Sequence, residues 1–247
     1  MSNRPVKRIG ILGGSFDPIH VGHLALGQAA ISAMKLDELV LVPSGYAWQK
    51  KGHHASARHR LAMLRLAMAS LPASATQGTH WQIDEQEMIR NGPSYTIETL
   101  KTLREQYGPK AVLILIIGSD QFRNLDSWYC WTQLFDYAHI AVTQRERVPL
   151  TDLPPAIEEL LTKRGTGTLP ATPSGNVLFF RMPAVPVSAT QLRKQLAAGQ
   201  PVNGLLPMGV EAYLRRHRLY GADDTPPGAS SSATDDGDVP DTPSSDH

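Results

Sequence analysis

Ile-Gly-Ile-Leu-Gly-Gly-Ser-Phe-Asp-Pro-Ile-His-Val-Gly-His-Leu, residues 9–24, is the run that decides the fold. Around its start, Val6 to Leu12 is a short apolar run of buried-strand type. From its end, Leu24 to Met34 is rich in Ala, Leu, Gln and Ile, which predicts a helix. A strand, a glycine turn at Gly13-Gly14 and then a helix aim backbone N–H groups and a helix dipole at a phosphate. Asp17-Pro18 marks a turn, because proline fixes its own φ and pushes the preceding residue out of the α region. His20 and His23 are three apart and share one face if the helix has begun by then.

Working outward, the same alternation repeats. Leu39 to Val42 is a second apolar run, ended by Pro43-Ser44-Gly45. Tyr46 to His54 carries two lysines and two histidines without periodicity and reads as a loop. Ala57 to Leu71 places Leu61, Leu64, Met68 and Leu71 at helical spacing, with Arg58, Arg60 and Arg65 on other faces. Trp81 to Asp84 alternates like a strand. Asn91-Gly92-Pro93 is a turn, and Ser94 is the expected N-cap of a helix reaching Tyr107, stopped by Gly108-Pro109. Ala111 to Ile117 is the most strongly apolar strand and ends in Gly118-Ser119-Asp120. His139 to Val142 and Val177 to Phe180 are further strands, and Ile157 to Leu161 lies in a helix. Ser188-Ala189-Thr190 opens a helix to about Ala198, and Pro207 to Arg218 is a terminal helix.

Strands alternating with helices predict an α/β fold with a doubly wound parallel sheet. Ligands of such a sheet lie beyond the carboxyl ends of its strands, at the switch point. The glycine turn, the Pro43 loop, Gly118-Ser119-Asp120 and Ser188-Ala189-Thr190 each follow a predicted strand, so they converge on one crevice.

Composition narrows the partners. The formal net charge of +1 hides an asymmetry: residues 221–247 hold seven Asp and no Lys or Arg. Residues 1–220 therefore carry 24 basic against 16 acidic groups, a surplus of eight that suits small polyphosphates. No Lys/Arg block interleaved with aromatics favours nucleic acid. The tail from Gly221, nearly devoid of apolar side chains, is expected to be disordered, leaving 1–220 as the folded domain. Cys130 is the only cysteine, so no intramolecular disulfide forms. No apolar run approaches the roughly 20 residues of a membrane helix, and no signal peptide precedes the first strand. A soluble cytoplasmic protein is the expectation.

Neither G-x-x-x-x-G-K-[ST] nor G-x-G-x-x-G is present. The run Gly13-Gly14-Ser15-Phe16-Asp17-Pro18-Ile19-His20-Val21-Gly22-His23 instead resembles the nucleotidyltransferase superfamily, whose signature is a (T/H)-x-G-H tetrad after a Gly-x-Phe-Asp-Pro turn. Arg90, Gly92, Ser94-Tyr95-Thr96, Ile117-Gly118-Ser119-Asp120, Trp128-Tyr129 and Ser188 to Arg193 are similar to segments of the bacterial nicotinate-nucleotide adenylyltransferases. Leu205-Leu206-Pro207 and Leu219-Tyr220 match that family's C-terminal end, so the resemblance covers about residues 7–220.

The resemblance implies a Rossmann-like nucleotidyltransferase fold and adenylyl transfer from ATP to nicotinate mononucleotide, a step in NAD biosynthesis. Nicotinamide mononucleotide and phosphopantetheine are the alternative acceptors. It implies Mg²⁺ bridged by the ATP phosphates, with no side-chain metal ligands, and leaves a homodimer open. Gly13, Gly14, Ser15, Phe16, Asp17, His20 and His23 are implied to bind ATP, with Gly118 and with Asp120 on the ribose. Ser188, Thr190 and Arg193 are implied to bind its phosphates, and His20, His23 and Arg193 to be catalytic. Tyr95, Thr96, Trp128 and Tyr129 are implied to receive the pyridine, with Lys50 and Arg145 on the mononucleotide phosphate. Taken singly, Trp128, Tyr129 and Trp131 also read as core aromatics, and Lys50 and Arg145 as solvated charges. One departure stands out: Ala47-Trp48-Gln49-Lys50 occupies the place of a Pro-Pro-His-Lys-like run, so Gln49 replaces a phosphate-binding His, with His53 and His54 nearby.

Overall fold

The computed structural model describes residues 6–45, 54–76, 78–144 and 152–222. Within them lie the strands β1 (Arg8–Gly14), β2 (Glu38–Pro43), β3 (His80–Ile83), β4 (Val112–Gly118), β5 (His139–Gln144), β6 (Gly165–Thr166) and β7 (Val177–Arg181). They form one parallel sheet in the order β3-β2-β1-β4-β5-β7-β6. The principal helices are α1 (Val21–Met34), α2 (Ala57–Ala69), α3 (Thr96–Tyr107), α4 (Pro155–Arg164), α5 (Ala189–Ala197) and α6 (Val210–Arg216). No helix among the described residues is long and apolar enough to cross a membrane.

The sheet is buried on both faces, which is why its central strands read as continuous apolar runs. Alternate side chains of β4 go to opposite cores. Val112, Ile114 and Ile116 face a layer of α1, α2, α5 and α6, through residues such as Ile31, Leu64, Leu192 and Leu214. Leu113, Leu115 and Ile117 face a layer of α3 and α4, through Ile97, Leu100 and Ile157. The chain leaves β1 toward β2 and β3 on one side, then returns to β4 on the other. That reversal opens the crevice between the carboxyl ends of β1 and β4.

Element boundaries differ from expectation in several places. Gly13 and Gly14 are not the turn; they finish β1, in register with Val42 and Pro43 of β2. The turn falls on Ser15 to Pro18, where the Asp17–Pro18 peptide is cis. α1 begins three residues early because His20 caps it. Tyr95, not Ser94, occupies the N-cap of α3. The last helix starts at Val210 because Gly209 takes a left-handed φ of 79°, and it stops at Arg216 ahead of the left-handed Arg218. β6, two residues long, is too short to leave a periodic signal. The expected disordered tail falls on residues 223–247, outside the described residues.

His139 is fully buried at the start of β5. Its Nε2–H donates to the Thr172 carbonyl at 2.7 Å, and its Nδ1 accepts from the Asn176 N–H at 3.1 Å. Both contacts need a neutral ring. Burial pushes its pKa below the ordinary 6.5. A depressed folded-state pKa contributes stability that is present above the unfolded value and is lost as pH falls toward the folded one. The melting temperature of the native protein should therefore fall more steeply from pH 6.5 to 5 than that of His139→Gln. Parallel slopes in calorimetry would refute this assignment.

Candidate active site

A cleft lies at the switch point. One wall is the end of β1, Gly13, Gly14 and Ser15; the opposite wall holds Tyr95 and Thr96 at the start of α3, with Trp128 and Tyr129. Ser44, Glu87, Ser94, Thr99 and Gln121 complete its polar lining. Of these, Glu87 and Gln121 carry no motif signal; they become visible only when the strand ends are assembled. Burial raises the pKa of the Glu87 carboxyl, against the Thr99 and Ser94 hydroxyls and Arg90, which lower it. Its Oε1 accepts from the Thr99 hydroxyl at 2.7 Å.

Beyond Ser15 the chain turns over Phe16, whose ring is fully buried beneath Gly14. The two histidines follow. Their rings stack with centroids 3.8 Å apart and planes inclined by 29°. The His20 N–H donates to His23 Nδ1 at 3.2 Å. That bond makes the neutral His23 ring an Nε2–H tautomer, with a donor on its far side. Gly22 between them has a steric reason: a Cβ there would lie 2.9 Å from Val187 Cγ1 and 3.0 Å from His20 Nδ1. The start of α5 is therefore pressed against the start of α1.

α5 contributes Ser188, whose hydroxyl accepts from the Gln191 N–H at 3.2 Å as N-cap, and the exposed Thr190. Arg193 reaches back from α5. Its Nη1 donates to the Asp17 carbonyl at 2.6 Å, and its Nη2 lies 3.4 Å from the Thr190 hydroxyl. Two helix N-termini, two imidazoles and a guanidinium thus surround one turn.

Asp17, expected to meet ATP, lies beneath that turn instead. It is 3% exposed, and its carboxylate accepts from the N–H groups of His54 and Ala55 and from the Tyr220 hydroxyl. Below it sits Arg60, read from the sequence as one of a helix's outward arginines, yet 1% exposed. The buried face of α2 runs through Arg60, Met63, Leu64 and Ala67, rotated from the stripe the sequence suggested.

At the carboxyl end of β4, Gly118 leads into the short helix Ser119–Arg123. A Cβ on Gly118 would lie 2.6 Å from Asp120 Oδ1, so the exposed Asp120 side chain folds over bare backbone. Trp128 is half-buried against the α3 layer. Tyr129 is 55% exposed and meets Tyr95 ring to ring at 4.5 Å. Cys130 is half-buried with a left-handed φ of 50°. Lys50, Arg145, Gln49 and His53 lie outside the described residues.

The two ends of the crevice belong to different layers. Phe16, Val187 and Leu192, which support the histidine turn and Arg193, belong to the α1/α5 core. Tyr95 and Trp128 pack on the α3 core.

Residues 11–195 match the cytidylyltransferase-like family. The chain is 39% identical over 217 residues to the "Probable nicotinate-nucleotide adenylyltransferase" of Herminiimonas arsenicoxydans, covering 86% of this chain and 96% of that one. Against its namesake in Chromobacterium violaceum it is 39% identical over 215 residues, covering 86% and 98%. Among solved structures it superposes on the nicotinic acid mononucleotide adenylyltransferase of Plasmodium falciparum complexed with NaAD. That match has a TM-score of 0.67 and 18% identity, over 89% of this chain and all of the other.

Proposed function

This chain belongs to the cytidylyltransferase-like family, among the nicotinate-nucleotide adenylyltransferases, and on that premise we propose that it transfers the adenylyl group of ATP to nicotinate mononucleotide. The observation that carries the reading is that the stacked His20 and His23 sit on the turn directly after Gly13–Ser15, which line one cleft with Tyr95 and Trp128.

The acceptor's 5′-phosphate oxygen attacks the α-phosphorus of ATP. A P–O bond forms there as the bond to the β-phosphate breaks, giving nicotinate adenine dinucleotide and pyrophosphate. A phosphate monoester is already an anion near neutral pH, so no side-chain base is needed. What remains is positioning and charge stabilisation. His23 Nε2–H, His20 and Arg193 donate to the phosphates as charge builds toward the leaving group. The N–H groups at the start of α5, with Ser188 and Thr190, hold the triphosphate's far end. Gly13 to Phe16 supply bare backbone, and Asp120 accepts from the ribose beside Gly118. Trp128 stacks on the pyridine. N–H groups near Thr96 and Tyr129, beside Tyr95, take its carboxylate. Lys50 and Arg145 meet the acceptor phosphate.

Nucleotidyltransferases of this kind generally take ATP with a divalent metal. Among the described residues no group of three or more His, Cys, Asp or Glu could hold one. The ion, Mg²⁺ on this reading, enters on the ATP phosphates as part of the substrate.

Pyrophosphate release from ATP should require nicotinate mononucleotide, with a higher kcat/KM than nicotinamide mononucleotide or phosphopantetheine. Release that ignores the first acceptor would sink the proposal. Within the same assay, Trp128→Ala should raise the KM for nicotinate mononucleotide by roughly 5- to 100-fold, the worth of one aromatic stack, and leave the KM for ATP within about twofold. An unchanged acceptor KM would remove Trp128 from the pocket.

A further inference from the structure

The geometry points to Tyr220 as a positioning residue that sets the spacing of the two helix N-termini holding the triphosphate; this rests on the functional reading above. Leu219-Tyr220 is a sequence feature the reaction itself leaves without a task. Its place in the fold supplies one.

Tyr220 lies in the C-terminal turn Leu219–Gly221, at a left-handed φ of 61°. The turn rests on α5: a Cβ on Gly221 would lie 3.2 Å from the Ala197 Cα. From there the Tyr220 hydroxyl donates to Asp17 Oδ1 at 2.6 Å. Asp17 belongs to the turn that delivers His20 and His23. Its carbonyl takes the Arg193 guanidinium, which comes from the same helix on which Tyr220 rests. One phenol thus closes a ring: α5, the C-terminal turn, Asp17, Arg193 and α5 again.

The Asp17 carboxylate has three donors, of which two are the backbone N–H groups of His54 and Ala55. Tyr220 is the side-chain member of that set, so it can be removed without moving the chain. The charged groups facing this junction are Arg60 from α2 and Arg193 from α5, both of which favour the phenolate. Burial and the Asp17 charge outweigh them and hold the phenol protonated. A neutral hydroxyl donating to a buried carboxylate is a directional strut. Without it, the Arg193 bond and the Val187 contact at Gly22 still join the histidine turn to the start of α5, but the ring is open.

The test is Tyr220→Phe, read by titration calorimetry with α,β-methylene-ATP and Mg²⁺ and, separately, with nicotinate mononucleotide. Loss of one hydrogen bond to a charged group should weaken the nucleotide about tenfold. Acceptor affinity should stay within about twofold. Leu219→Ala, which trims packing in the same turn but keeps the hydroxyl, should leave nucleotide affinity within about twofold. Equal weakening of both ligands, or no weakening of the nucleotide, overturns the assignment. Should Tyr220→Phe fail to fold, amide exchange of the native protein decides: saturating α,β-methylene-ATP should slow exchange at residues 54–55 and 219–222, and an unaffected C-terminal turn overturns the strut. Nucleotide binding is read without turnover, so a protein that binds ATP through Tyr220 but rejects nicotinate mononucleotide would disprove the proposed reaction and leave the strut standing.

Discussion

Replacing His23 with alanine lowers kcat by about 100- to 1,000-fold, while the KM for nicotinate mononucleotide stays within about twofold. The asymmetry follows from where the ring points. Its Nδ1 accepts from the His20 N–H, so on the proposed reading it is Nε2–H that donates to the phosphates of ATP. A fixed donor is worth most where charge develops during the reaction, at the α-phosphate and the departing pyrophosphate. On the proposed reading the acceptor's pyridine stacks on Trp128, which lines the cleft, and should not sense the change. The substitution also removes the α1 capping contact, so a loss of about 1 kcal/mol in stability accompanies it. Steady-state kinetics beside a thermal melt separate the two effects. His23→Asn keeps a donor and should recover part of kcat. A His23→Ala enzyme within about threefold of native kcat would remove the imidazole from the chemistry.

Arg60→Met destabilises the protein by about 2–4 kcal/mol, the cost of leaving two buried carbonyl acceptors without their donor beside a buried carboxylate. Arg60 donates to the Ser15 and Ser44 carbonyls, each at 2.7 Å, so it ties the turn after β1 to the end of β2. Burial lowers its pKa from the usual value and the nearby Asp17 carboxylate opposes that shift. Methionine fills a similar volume but leaves Asp17 and two carbonyls without their cation. Urea unfolding measures the loss, and a drop below about 1 kcal/mol would mean the site is wetter than its burial indicates. Arg60→Lys keeps the charge but not the two-pronged contact, and should fall between the two.

The parallel sheet was legible because strands buried on both faces must be apolar throughout, as Ala111 to Ile117 is. The histidine turn was legible because glycine, proline and paired imidazoles in that spacing serve few purposes. Arg60 and Asp17 were not, because charge in a sequence carries no mark of burial: the two are 43 residues apart, yet both are buried near one another. Glu87 and Gln121 enter the cleft from short helical turns whose placement depends on the assembled strand ends. Boundaries at Tyr95 and Gly209 were set by φ angles that residue type alone does not dictate.

Because the imidazole turn is rooted in one core and the indole wall in the other, with the sheet between them, inheritance can treat the two halves of the crevice as separate modules. Drift, or a protein engineer, can remodel α3 and the Trp128 loop without disturbing the turn that carries His20 and His23. A lineage built on this plan diversifies what it adenylylates more readily than how.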